Sequence, residues 1–164
     1  MSELEIPSRG DYRHFQPITT RWMDNDLYGH VNNVTYYSYF DTVVNTYLIE
    51  HGGLDIHDGS IVGFVVNSNC TYRRGIAFPD RIEAGLKVDR LGNSSVQYGV
   101  GIFLEGDDEI CAFGQFVHVF VDRAKNAPVS IPADIRDALE RLLAYEPREL
   151  AVARSGGPRA GASG

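Results

Sequence analysis

The 164-residue chain has only two cysteines, Cys70 and Cys111. Neither sits in a CxxC pair, and both fall in strand-like stretches that favour a buried, reduced thiol, so a cytoplasmic address is expected. No stretch approaches the roughly 18 uninterrupted apolar residues of a membrane span, and the opening MSELEIPSRGDYRHF is polar, so neither an export signal nor a membrane anchor is expected. A GxSxG elbow and an HExxH pair are both absent, and His14, His51, His57 and His118 are scattered without ligand spacing; no metal is expected. Lysine is scarce too: of fifteen Lys and Arg, only Lys87 and Lys125 are lysines. The rest are arginines, whose planar forks suit phosphate or carboxylate better than diffuse charge does.

Twenty-two acidic residues against fifteen basic ones leave a net charge of -7, which excludes general attraction to nucleic acid or anionic lipid. An anionic ligand would need a local basic cluster. With 43% hydrophobic and 11% aromatic residues, the chain suits one domain with a substantial core.

Residues 16–23 (QPITTRWM) read as a strand that stops in the turn-forming run Asp24-Asn25-Asp26-Leu27-Tyr28-Gly29. From 33 to 51, Tyr36, Phe40, Val43, Val44, Tyr47 and Leu48 recur at helical spacing, with Asn32 or Asn33 available as a cap and Gly52-Gly53 as the stop. The far side, Tyr37, Tyr39 and Thr42, is only mildly polar, which predicts a helix enclosed by a sheet. Alternation then predicts strands over 61–73, 81–91, 94–104 and 110–121, separated by Gly92-Asn93 and Gly106-Asp107-Asp108 turns. A short amphipathic helix is predicted over 132–145. Strand, long helix and four consecutive strands argue for an α+β domain and against a doubly wound fold. We expect a lead over 1–15, one domain over 16–146, and a disordered tail over 147–164, where RSGGPRAGASG has nothing to bury.

The chemistry concentrates in Arg21 to Tyr36, where two carboxylates stand between a strand end and a helix start. The first turn of a helix offers unpaired N–H groups and a partial positive charge, able to hold a carbonyl oxygen as it becomes an oxyanion. A carboxylate just upstream, ionised at neutral pH, can activate water or attack an acyl carbon, and Gly29 permits close backbone approach. A calcium loop is the wrong reading of this DxDxxG, because Tyr28 and Thr35 occupy positions that need oxygen ligands. A phosphotransfer Asp pair belongs with parallel sheets, against the strand order here. The plain structural role, capping the turn through local hydrogen bonds near Arg21, suits Asp24; Asp26 is the better chemical candidate.

The pattern D-x-D-x-x-G-H-V-N-N-x-x-Y after a short strand, followed by four antiparallel strands, resembles the hotdog-fold thioesterases of the 4-hydroxybenzoyl-CoA thioesterase family, over residues 16–143. The resemblance implies an antiparallel five-stranded sheet wrapped around a long central helix, and hydrolysis of an acyl-CoA thioester. It carries the family's catalytic carboxylate onto Asp26 and the oxyanion amides onto Asn32, Asn33 and Val34; Tyr36 matches an aromatic of the helix's first turn. Within the same motif His30 is a further candidate for the catalytic set, and Gly29 and Val31, with Asn32 and Tyr36, are expected to bind substrate. His30 stands where aromatic-acyl members have a small β-branched residue, which looks more like the fatty-acyl hydrolases. Their acyl-ACP branch shows D-x-N-x-H, and here Tyr28 replaces the Asn.

CoA carries a pyrophosphate and a 3′-phosphate, and Arg73-Arg74 at a strand end and Arg90 with Ser94-Ser95 at a hairpin are the expected donors. Beyond CoA as part of substrate and product, no cofactor is expected. Family members are dimers or dimers of dimers, so a homodimer or homotetramer is implied. Alternatives are an acyl-ACP thioesterase, disfavoured by the acidic charge, and a non-catalytic acyl-CoA binding module. The acyl group itself is not legible.

Overall fold

The computed structural model describes residues 5–143; the tail expected beyond 147 lies outside them. Its elements are β1 (His14–Thr19), α1 (Thr35–Gly52), β2 (Ile61–Tyr72), β3 (Arg81–Leu91), β4 (Ser95–Leu104), β5 (Ile110–Asp122), β6 (Ala127–Pro128) and α2 (Ala133–Glu140). Five antiparallel strands lie in the order β1-β3-β4-β5-β2, and the two-residue β6 pairs with β5. The consecutive strands β3, β4 and β5 form a meander, while β1 and β2, which flank α1 in sequence, take the two edges. This is the expected hotdog arrangement, with α1 packed against the curled sheet.

Alternation sets the core as the sequence predicts. Ile82, Ala84, Leu86 and Val88 of β3 and Val96, Tyr98, Val100 and Ile102 of β4 are buried against Tyr36, Phe40, Val43, Val44, Tyr47 and Leu48 of α1. α2 closes one end through Ile135, Ala138 and Leu139, and the Tyr47 hydroxyl donates to the Ala138 carbonyl at 2.7 Å. Gly53, in the left-handed region at φ 70°, ends α1: its own amide and that of Leu54 both donate to the Leu48 carbonyl.

Three local expectations change. The first strand begins at His14 and stops at Thr19, because Trp22–Asp24 turns into a 3₁₀ helix. The Asp24 amide donates to the Arg21 carbonyl and the Asp24 carboxylate accepts the Arg21 amide, so the chain folds back on itself before a strand can continue. No asparagine side chain caps α1: the cap residue is Val34, and Thr35, Tyr36 and Tyr37 donate to carbonyls three residues back. In β2 the alternation does not translate into burial. Phe64, Val66 and Tyr72 are exposed, since β2 is an edge strand and a bulge between Val65 and Asn67 shifts its register against β5.

The polar lead also packs. Tyr12 joins Phe103, Ile110 and Phe113 in a second cluster on the outer face of the sheet, and the Arg9 guanidinium lies over the Phe15 and Phe103 rings. Gly85 and Gly101 make room for Tyr12, because a β-carbon on Gly101 would stand 2.7 Å from its ring.

Candidate active site

Between β1 and α1 the chain builds a compact loop whose hydrogen bonds are mostly internal. The Asp26 amide donates to the His30 carbonyl at 2.9 Å, and the Gly29 amide to the Asp26 carbonyl at 3.1 Å. Gly29 takes φ 85°, a left-handed conformation that a side chain would resist, so the turn depends on it. The Asp26 carboxylate accepts the Tyr28 amide at 2.8 Å through Oδ1, a side-chain turn that fixes its rotamer while leaving the group half-exposed.

A second segment, residues 73–80, clamps this loop. The Val31 amide donates to the Ile76 carbonyl at 2.7 Å, and the Phe78 amide to Asn25 Oδ1 at 2.9 Å. The Tyr72 hydroxyl at the end of β2 donates to the Asn33 carbonyl at 2.9 Å, tying the edge strand to the helix start. Tyr36 packs edge-on against Tyr72, with ring centroids 5.0 Å apart. Burial, with the Cys111 and Cys70 thiols beside it, pushes the Tyr36 phenol up to about 12, so it is a neutral hydroxyl at physiological pH.

These segments enclose an open cavity of about 480 Å³ lined by Asp26, Tyr28, His30, Val31, Asn33, Tyr36, Tyr72, Arg73, Arg74 and Gly75. Seven of the residues named from the sequence therefore share one cavity: Asp26, His30, Val31, Asn33, Tyr36, Arg73 and Arg74. Gly29 and Asn32 support it from the loop. The Asn32 amide donates to the Asp24 carbonyl at 2.8 Å, and Asn32 Oδ1 accepts the Val34 amide at 3.3 Å. Between them the Asn33 N–H has no acceptor among the described residues. It is an open donor at the positive end of an 18-residue helix, in a residue that lines the cavity together with Asp26.

Asp24 plays a different part. Its carboxylate is 1% exposed and accepts from the Tyr39 hydroxyl (2.8 Å), the Arg21 amide (2.9 Å) and the Arg21 guanidinium (3.1 Å). Desolvation pushes its pKa up, but these donors outweigh it and hold the group below the ordinary carboxylate range. A buried, saturated anion has no lone pair to offer a substrate.

The two arginines also differ. Arg74 pairs with Asp107 at 3.1 Å and Glu109 at 3.7 Å from the β4–β5 turn, whereas Arg73 has no carboxylate partner among the described residues. Arg90, Ser94 and Ser95 lie elsewhere. Arg90 is in register with Gln97, Val117 and Asn67 on successive strands, which puts it three strands from β2 and about 20 Å along the strand direction from Arg73 by the rise per residue. Ser94 and Ser95 are farther along still. Tyr72 and Gly75 are site residues that the sequence reading did not single out; an aromatic just before Arg-Arg-Gly at a strand end was the available signal.

Residues 20–139 match the thioesterase-like superfamily, a span that holds the loop, α1, β2 to β5 and nearly all of α2. Among solved structures, the PA5185 protein of Pseudomonas aeruginosa strain PAO1 is 63% identical and superposes with a TM-score of 0.84, over 85% of this chain and 98% of that one. The PA2801 protein of the same organism is 30% identical with a TM-score of 0.73, over 77% and 98%. A thioesterase of Thermus thermophilus, solved in complex with coenzyme A and zinc, is 26% identical with a TM-score of 0.68, over 80% and 95%. With the expected fold in place and the match covering most of its length, the chain belongs to the thioesterase-like superfamily and is a hotdog-fold thioester hydrolase.

Proposed function

We propose that the chain hydrolyses acyl-CoA thioesters to the free acid and CoA, using Asp26 as general base or nucleophile and the Asn33 N–H as oxyanion donor. One observation carries the reading: Asp26, Asn33 and Arg73 line the same open cavity, and among the described residues the Asn33 N–H at the helix start has no acceptor and Arg73 no carboxylate partner. In the base route, Asp26 takes a proton from water as its oxygen adds to the thioester carbon. The carbonyl oxygen becomes an anion facing the Asn33 amide, and collapse breaks the C–S bond and releases the CoA thiol. In the nucleophile route, Asp26 displaces the thiol directly and water then cleaves the mixed anhydride. His30 and Tyr36 line the same cavity as Asp26, which supports a proton-moving role for His30 and a substrate-binding one for Tyr36.

The Thermus thermophilus relative holds CoA, which supports CoA as the carrier here, with Arg73 meeting its phosphates. Arg90, Ser94 and Ser95 reach the carrier only across a homodimer, which the exposed apolar edge of β2 also favours.

The test is thiol release from short, long and aromatic acyl-CoAs by wild type and Asp26→Asn. The expected result is turnover by wild type and a loss of at least about 100-fold in the variant, with folding unchanged. Equal turnover by Asp26→Asn removes the mechanism, and saturable acyl-CoA binding by wild type without thiol release makes the protein a binding module.

A further inference from the structure

We propose that Tyr39 is a positioning residue, whose hydroxyl acts through the buried carboxylate of Asp24 to hold Asp26 and the Asn33 amide in their working geometry. The inference rests on the hydrolytic reading above.

Asp24 sits two residues before Asp26 and is fixed from two directions. Arg21 approaches from within the same loop, three residues away, and travels with it. Tyr39 approaches from the second turn of α1 and is 4% exposed. Among the described residues, the 2.8 Å bond from Tyr39 to Asp24 is the one side-chain hydrogen bond between residues 20–31 and α1. It references the loop to the central helix, whose neighbouring side chains Phe40, Val43 and Val44 are fully buried and held by close packing.

The backbone of Asp24 passes that reference on. Its carbonyl accepts the Asn32 amide at 2.8 Å, and the next amide along is that of Asn33. One residue thus ties down both halves of the proposed chemistry, the carboxylate two positions downstream and the donor at the helix start. Tyr39 is not among the residues that line the cavity, so it acts without touching the substrate. A displacement of the order of 1 Å at such a site costs about 100-fold in rate, so even a partial loosening is measurable.

Tyr39→Phe removes the hydroxyl and keeps the ring, which packs edge-on with Tyr36 at 6.0 Å. Tyr47→Phe is the matched control: it removes another buried hydroxyl donor from α1, one that bonds Ala138 far from the loop. For Tyr39→Phe on acyl-CoA, kcat falls by about 10- to 100-fold while KM stays within about twofold, and Tyr47→Phe leaves both near wild type. Amide exchange over residues 24–33 quickens in Tyr39→Phe and not in Tyr47→Phe. Unchanged kcat in Tyr39→Phe, or an equal fall in both variants, overturns the inference. Exchange keeps the test independent of the reaction. If wild type releases no thiol from any acyl-CoA, the hydrolytic reading fails, while unaltered exchange over 24–33 in Tyr39→Phe overturns the positioning role itself.

Discussion

The imidazole of His30 rests against the backbone of Gly75: a β-carbon there would stand 2.8 Å from its Cδ2 and 3.1 Å from its Nε2. Gly75 therefore sets where the His30 ring lies, although Gly75 and His30 are 45 positions apart in the chain. Gly75→Ala must push the ring aside. We expect Gly75→Ala and His30→Ala each to lower kcat/KM on acyl-CoA by about 10-fold or more. The double variant should be no worse than His30→Ala alone, because both changes remove one placement. Steady-state kinetics of the three proteins would show fully additive losses if the contact had no part in activity.

Arg73→Gln should raise KM for acyl-CoA by about 10-fold, the worth of one charge-assisted hydrogen bond to phosphate, with kcat nearly unchanged. The same variant should cleave an acyl-N-acetylcysteamine, which has no phosphates, at the wild-type rate. Arg74→Gln breaks only exposed pairs with Asp107 and Glu109, and its effect on either substrate should be under about threefold. Equal defects on both thioesters would assign Arg73 to something other than the phosphates.

His118 is 1% exposed among Tyr98, Phe116 and Phe120, its Nδ1 has no hydrogen-bond partner among the described residues, and burial lowers its pKa from 6.5 to about 4. Between those values the unfolded chain takes up a proton that the folded chain excludes. The neutral ring's contribution is therefore intact above pH 6.5 and is lost as pH falls toward 4, by roughly 3 kcal/mol in all. Denaturant titrations at pH 7.5, 6, 5 and 4 should show this decline, and His118→Leu should flatten it. A parallel decline in the variant would place the acid sensitivity in other groups.

Along the free edge of β2, Phe64, Val65 and Val66 are 47%, 45% and 58% exposed, an apolar row with open backbone donors and acceptors. In a homodimer built on this edge, Val66→Lys would bring two charges into the pairing. We expect light scattering to give at least twice the chain mass for wild type and the single-chain mass for Val66→Lys. An unchanged mass in the variant would move the interface elsewhere.

Much of the fold was legible because periodicity is a local property. Ile82 to Val88 and Val96 to Ile102 alternate without interruption, and the aromatic stripe from Tyr36 to Leu48 has a single helical spacing. Departures came where neighbours in space overrode neighbours in sequence. Phe64 and Val66 alternate with their neighbours as a buried face would, and their exposure follows from an edge position and a bulge that no alternation announces. Asn32 and Asn33 read as caps, but Asn32 spends its side chain on the Val34 amide and its own amide on Asp24, leaving Val34 to open the helix.

By itself, the sequence determined the element types, the core faces of α1, β3 and β4, and the cluster from Asp26 to Tyr36, since all of these depend on spacing within one segment. Only the tertiary structure decided which arginine lacks a carboxylate partner among the described residues, that Tyr72 and Gly75 join the cavity, and that Arg90 lies three strands from β2, with Ser94 and Ser95 at the far end of the β3–β4 hairpin. Those outcomes depend on strand order. A chain that alternates correctly is compatible with several orders, and the choice among them is made by which faces bury together.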